Sequence, residues 1–207
     1  MSVRGLYRVA VADLDMIRSR DPSMLSRGEA LLHPALPALW GYRLAHRLHG
    51  RGLRRTARLL SGVARVASGG VEIHPGARIG RGFFIDHGSG VVIGETAVIG
   101  DDVTVFHQVT LGSVGWWHDL DRPQGARRHP AVGDRVVIGV GATLLGPISV
   151  GDDTVIGAQA LVIRDVASRS RILAPVAEPR PTRVRRHLSP PQRQFHDRTA
   201  AAAFPTW

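Results

Sequence analysis

The sequence predicts a mainly β protein: a parallel β-helix of six-residue repeats with a short all-α region ahead of it. Three observations predict this. Aliphatic residues recur every six positions through the middle of the chain, the stretch before them has apolar residues at three- and four-residue spacing, and the repeat slips phase at two places. A period of six fits neither an α-helix nor a strand that alternates along its whole length. It fits short strands joined by turns, three to a coil, with one inward aliphatic per strand and stacked coils burying a continuous column.

Each element follows in order. Residues 8–20 and 27–66 read as helices, separated by the stop-and-cap signal Asp21-Pro22, and LWGYRLAHRLHGRGLRRTARLL sets arginines opposite its apolar face. The first repeat register is Ile73, Ile79, Ile85. Two extra residues in DHGSGVV shift the phase, and the second register is Ile93, Ile99, Val105, Leu111. A polar segment, Gly112 to Ala131, interrupts, and the third register is Val132, Ile138, Leu144, Val150, Ile156, Val162. About five coils result. Glycines 80, 94, 100, 133, 139, 151 and 157, each following a register residue, suggest turns in which a positive φ is cheap. The organisation is therefore a helical region over 1–69, a β-helix over 70–167 with a loop at 112–131, and a Pro/Arg-rich basic tail over 168–207.

Composition excludes several classes. The chain has no cysteine, which removes disulfides, thiolate metal sites and an acyl-cysteine intermediate. No apolar run is long enough for a membrane span, and MSVRGLYRVAVADLD is not a secretory signal, so a cytoplasmic protein without membrane partners is expected. All 27 basic residues are arginine, and the net charge is +10. Residues 1–69 hold 12 arginines against 4 acids, 70–163 hold 6 against 10, and 164–207 hold 9 against 3. Aromatic residues make up 5% and do not interleave the arginines, so nucleic acid is not the expected partner.

The two departures from the repeat are where chemistry is expected, because local rules fail most often at functional sites. One is Asp86-His87-Gly88-Ser89-Gly90. The other is GSVGWWHDLDRPQGARRHPA, which gathers two Trp, two His and several Arg in one excursion. Here the chain resembles a known family. DHGSG, GETAVIG, VTLG and RHP in this order, with RSRDP upstream, are similar to serine O-acetyltransferases of the hexapeptide-repeat acyltransferases, and the likeness spans residues 12–166.

The resemblance implies that the parallel β-helix is left-handed, as in hexapeptide-repeat proteins generally, and that the chain transfers acetyl from acetyl-CoA to the hydroxyl of L-serine for cysteine biosynthesis, with no resident cofactor and no metal. His87 would be the general base, since a neutral imidazole suits proton removal at pH 7. Glu72 stands where the family has an aspartate that orients this histidine, and His129 matches the second active-site histidine. Arg128 would pair with the serine carboxylate, and Asp21 and Asp86 would hold its ammonium group. By family position the acetyl-CoA arm would run near Val140 and Ala158, with oxyanion donors at the turn Gly112-Ser113. Charge alone adds Arg183 and Arg185 as candidates to face the nucleotide phosphates. With a free hydroxyl as acceptor and no cysteine, direct transfer in a ternary complex is expected.

The family pattern also implies a homotrimer, with each site lying between two subunits. The short helical region favours a trimer over a hexamer, and the terminal Trp207, where members that dock into cysteine synthase end in isoleucine, argues against that complex. The chain departs from the family in its lysine-free GSVGWW loop, in about seven further residues before Arg128-His129, and in APVAE after the last coil. These departures leave open a paralogue that acylates another hydroxylated amino acid or a biosynthetic intermediate. A non-catalytic scaffold and a zinc hydratase built on His74, His87, His107, His118 and His129 are the remote alternatives. The Trp116-Trp117 pair could cover the site or pack between subunits.

Overall fold

The computed structural model describes residues 3–123 and 125–175. Four helices come first: α1 (Val3–Arg20), α2 (Arg27–Ala30), α3 (Leu36–Gly50) and α4 (Arg54–Ala67). The predicted single helix over 27–66 is therefore three. Its breaks fall at His33-Pro34, where proline disfavours a helical residue before it, and at Gly52, which takes a left-handed φ of 82°. Ser26 and Glu29 form a reciprocal capping box that starts α2.

The coils follow. The first holds β1 (Glu72–Ile73), β2 (Arg78–Ile79) and β3 (Phe84–Ile85), and the second β4 (Val92–Ile93), β5 (Val98–Ile99) and β6 (Thr104–Val105). The third holds β7 (Thr110–Gly112), a helical turn α5 (Trp116–Asp119), β8 (Ala131–Val132) and β9 (Val137–Ile138). The fourth holds β10 (Thr143–Leu145), β11 (Ser149–Val150) and β12 (Val155–Ile156), and β13 (Leu161–Val162) and β14 (Arg171–Ile172) close the stack. Corresponding strands pair in parallel, giving face one as β1-β4-β7-β10-β13, face two as β2-β5-β8-β11 and face three as β3-β6-β9-β12-β14. This is the left-handed parallel β-helix with a helical N-terminal region. The stack continues through β14 into the segment read as tail, and residues 176–207 lie outside the described residues.

The six-residue register is the core. Of its thirteen members, twelve are buried and Ile79 is half-buried. A second inward position, two residues earlier, was not read from the sequence: Val71, Ala77, Phe83, Val91, Ala97, Val103, Val109, Val136 and Ala142 are all buried. Most strands thus send two side chains inward rather than one, one from the strand itself and one from the corner before it. Leu144 lies in β10, whose neighbours are β7 and β13, and is fully buried. Leu144→Ala should cost about 2–5 kcal/mol, because the stacked column leaves the cavity unfilled. Thermal unfolding of the variant checks this, and an unchanged midpoint would contradict the packing described.

The glycines that follow the register residues work differently from the expectation. None of the seven has a left-handed φ. They are glycine because the next coil passes too close: a Cβ on Gly80 would lie 2.6 Å from the carbonyl oxygen of Gly100, and one on Gly139 would lie 2.7 Å from the amide nitrogen of Ala158. The left-handed corners are instead filled mainly by other residues, among them His87, Gln108 and Gln159 between faces three and one, and Asp102, Arg135 and Asp153 between faces two and three. Aspartates that follow glycine then tie coil to coil. Asp101 Oδ1 accepts from the amide of Arg81 at 2.8 Å, Asp134 Oδ1 from that of Asp101 at 2.7 Å, and Asp152 Oδ1 from that of Asp134 at 2.8 Å.

The helices dock on the first coils. The Tyr42 hydroxyl donates to the Ala77 carbonyl at 2.8 Å, and burial pushes its pKa up to about 12. Arg20 donates to Thr104 Oγ1 at 2.7 Å. The buried Asp13 receives the Arg43 guanidinium on both oxygens, which supplies the partner a buried charge requires. Among the described residues, no helix is long and apolar enough to cross a membrane.

Candidate active site

The first cluster sits where face three turns into face one. The phase slip after β3 puts His87 on a left-handed corner, φ 61°, with its side chain 74% exposed and Nε2 3.8 Å from Asp86 Oδ1. The left-handed turn lifts the imidazole off the coil instead of folding it inward. His107, one coil above, packs edge-on to it with ring centroids 5.6 Å apart, and its buried Nδ1 has no hydrogen-bond partner among the described residues. Asp21, just after α1, belongs to the same corner. Its carboxyl is held below the usual range chiefly by Ser23, whose hydroxyl and amide donate at 2.6 and 2.9 Å, with the fields of His33 and His87 adding to this. His33 is buried beneath, against Phe84, and burial pushes its pKa down.

Val140 and Ala158 continue this corner upward on the third and fourth coils, where the amide of Gln159, next to Ala158, donates to the Val140 carbonyl at 2.8 Å. The corner is therefore a column that starts at His87 and runs past the two positions expected to meet acetyl-CoA. Arg183 and Arg185 lie outside the described residues.

The second cluster lies on face one and at the corner between faces one and two, where the excursion leaves the coil. His129 lies over Gly94. Its Nδ1 accepts from the Thr96 amide at 3.2 Å and meets Thr96 Oγ1 at 2.8 Å, which leaves its proton on Nε2. Burial pushes its pKa down, with the charge of Arg128 adding to this, so the ring is neutral at pH 7. Thr96 Oγ1 also accepts from the amides of Arg128 and His129 at 2.8 and 3.1 Å. Arg128 Nη2 donates to Glu95 at 2.8 Å, and Nη1 lies 3.4 Å from Asp119 of α5. Glu72 shares a groove of about 340 Å³ with His74, Ser113, Arg128 and His129, and pairs with Arg65 of α4 at 2.8 Å. Ser113 also lines a cavity of about 750 Å³ beside the excursion, together with Glu95, Thr96, Trp116, Asp119 and Arg128.

Within one chain the expected residues thus divide. Asp21, Asp86 and His87 come together at one corner, while Glu72, Arg128, His129 and Ser113 come together at another. His87 contacts Asp86 and His107, and Glu72 contacts Arg65, so the two form no pair within the chain. Glu95 and Thr96 were missed as site residues although GETAVIG was singled out. Their signal was the polar pair inside an otherwise aliphatic repeat. Among the described residues, no three His, Asp or Glu side chains are placed to hold a metal ion.

A triangular solenoid of six-residue repeats, with a solvent-facing histidine at one corner and an arginine–histidine pair at another, defines the class of hexapeptide acyltransferases. No family model matches the chain. It is 52% identical over 158 residues to the serine acetyltransferase of Helicobacter pylori, covering 76% of this chain and 88% of that protein. The crystal structure of Neisseria gonorrhoeae serine acetyltransferase in complex with serine superposes with a TM-score of 0.74 at 35% identity, covering 85% of this chain and 69% of that one. The Entamoeba histolytica serine acetyltransferase isoform 3 in complex with cysteine gives 0.78 at 31%, covering 95% of this chain and 65% of that one. The chain belongs to the serine acetyltransferase family.

Proposed function

We propose that this chain transfers acetyl from acetyl-CoA to the hydroxyl of L-serine, giving O-acetylserine and free CoA, and that it does so as a homotrimer in the cytoplasm. The observation that carries the reading is the division of the site into two incomplete halves. The His87 corner offers a base and two carboxylates for an ammonium group, and the Arg128 groove offers a guanidinium and a neutral histidine for a carboxylate. A zwitterionic acceptor needs both. Threefold packing that sets the His87 corner of one copy against the Arg128 groove of the next would unite them, with Glu72 of the second copy reaching the imidazole of the first.

His87 then takes the serine hydroxyl proton as the oxygen attacks the thioester carbonyl carbon. The tetrahedral oxyanion is met by backbone N–H donors near Gly112-Ser113. Its collapse breaks the C–S bond, and the proton on His87 passes to the departing thiolate. The protein contributes position and a base, and acetyl-CoA enters as co-substrate with no resident cofactor needed.

The test offers purified protein acetyl-CoA with L-serine, L-homoserine, L-threonine or sugars and follows thiol release. Turnover with serine is expected, and turnover only with another amino acid would overturn the reading in favour of a paralogue. Arg128→Ala should raise the serine KM about tenfold or more, because a charge-assisted hydrogen bond to the acceptor is lost. An unchanged KM would remove Arg128 from the acceptor site.

A further inference from the structure

The excursion carries a carboxylate that stands where the acceptor's carboxylate would bind. Asp119 ends α5 with its side chain only 8% exposed, between Arg122 Nε at 3.3 Å and Arg128 Nη1 at 3.4 Å. The turn around it is closed by backbone hydrogen bonds, from the Asp119 amide to the Gly115 carbonyl at 3.2 Å and from the Arg122 amide to the Asp119 carbonyl at 3.2 Å. Its apolar side chains do not anchor it. Trp116, Trp117 and Leu120 are 69%, 57% and 73% exposed. The contact of Asp119 with Arg128, which is itself bound to Thr96 and Glu95, ties this turn to the coil.

Arg128 already faces two carboxylates. A third anion gains little from a guanidinium so neutralised and must displace one of them. Glu95 makes the short contact at 2.8 Å and Asp119 the longer one at 3.4 Å, so Asp119 is the weaker partner. Displacement leaves Asp119 within ion-pair distance of Arg122, whose buried Nε lies 3.3 Å away and has no hydrogen-bond partner among the described residues, so a small shift lets it take up the released carboxylate.

We propose that Asp119 is a specificity-determining residue that occupies Arg128 in the free enzyme and yields it to the carboxylate of the acceptor, retaining Arg122. This rests on the reading of Arg128 as the acceptor's carboxylate receptor. An acceptor without a carboxylate has nothing to exchange, so the Arg128–Asp119 contact stays closed against it. The exchange sets the amino-acid affinity and leaves the proton-transfer step to the opposite half-site.

Steady-state kinetics with L-serine and L-serinamide test this. Asp119→Asn should lower the serine KM about three- to tenfold, the size expected for removing one long ionic contact to the half-exposed Arg128, with a smaller change in kcat. The serinamide KM should stay the same in both enzymes, and Asp119→Glu, which keeps the charge, should return the serine KM toward the wild-type value. An unchanged or raised serine KM in a folded Asp119→Asn enzyme overturns the exchange. Should that variant not fold, the wild-type protein decides: L-serine without acetyl-CoA should shift the tryptophan emission of the Trp116-Trp117 turn and L-serinamide should not, and equal responses overturn the proposal. Arg128→Ala separates the two failures. A serine KM unmoved by that change sinks the acceptor-site reading itself, whereas a raised KM beside an inert Asp119→Asn sinks only the exchange.

Discussion

Replacing His87 by alanine should lower kcat by about 10²–10⁴-fold, the contribution of a well-placed general base. The side chain is 74% exposed and supports no part of the column, so the fold should persist, with an unchanged circular dichroism spectrum. A near-normal rate would remove the assigned base. The same variant reports on assembly. Co-expressed with Arg128→Ala chains and assayed at serine well below the KM of that variant, it should recover activity above either parent, because some shared sites then take a sound imidazole from one copy and a sound guanidinium from the other. No recovery, from mixed oligomers shown to form, would mean that each chain completes its own site.

Gly94→Ala should be nearly as damaging, through a different cause. The added Cβ would lie 1.9 Å from His129 Cδ2 and 2.1 Å from Nε2, far inside contact distance. The imidazole must leave its seat, and with it the contact to Thr96 Oγ1. A displacement of about an ångström at a substrate-positioning group costs on the order of a hundredfold in kcat/KM. The fold should hold, because the ring gives way into the groove rather than into the column. Kinetics close to wild type would show that the seat of His129 is not used.

Much of this fold was legible because the solenoid repeats. Ile93, Leu111 and Leu144 recur on a fixed period, and each recurrence strengthens the same reading, so twelve of the thirteen register positions are buried. The second inward position escaped because Ala77, Phe83, Val91 and Ala97 differ too much in size to show a pattern against the glycine and valine around them. The glycines were placed correctly and explained wrongly. Sequence displays a missing side chain, but only stacking shows that the neighbouring coil, and not a left-handed φ, excludes it. The helix breaks at Pro34 and Gly52 were visible and lost to the stronger apolar period.

In the site, His87, Arg128 and His129 stood out because each lies at a break in phase. That His87 and Glu72 would face different parts of one chain could not be read, since a six-residue period gives the position along the coil and not which corner meets another molecule. Asp119 was hidden for a related reason. The excursion has no period of its own, and nothing in WWHDLDRPQGARR distinguishes the acid that turns inward, Asp119, from the one two residues later.

The excursion leaves from β7 and returns at β8, yet neither strand depends on it for alignment. β7 is held between β4 and β10, and β8 between β5 and β11. Residues can therefore be added or removed between them while the ladder on either side keeps its register, and the closure entropy of a longer detour grows only with the logarithm of its length. The prism acts as a fixed chassis with one adjustable fitting, and a lineage can retailor what surrounds the bound alcohol without redesigning what makes the protein fold.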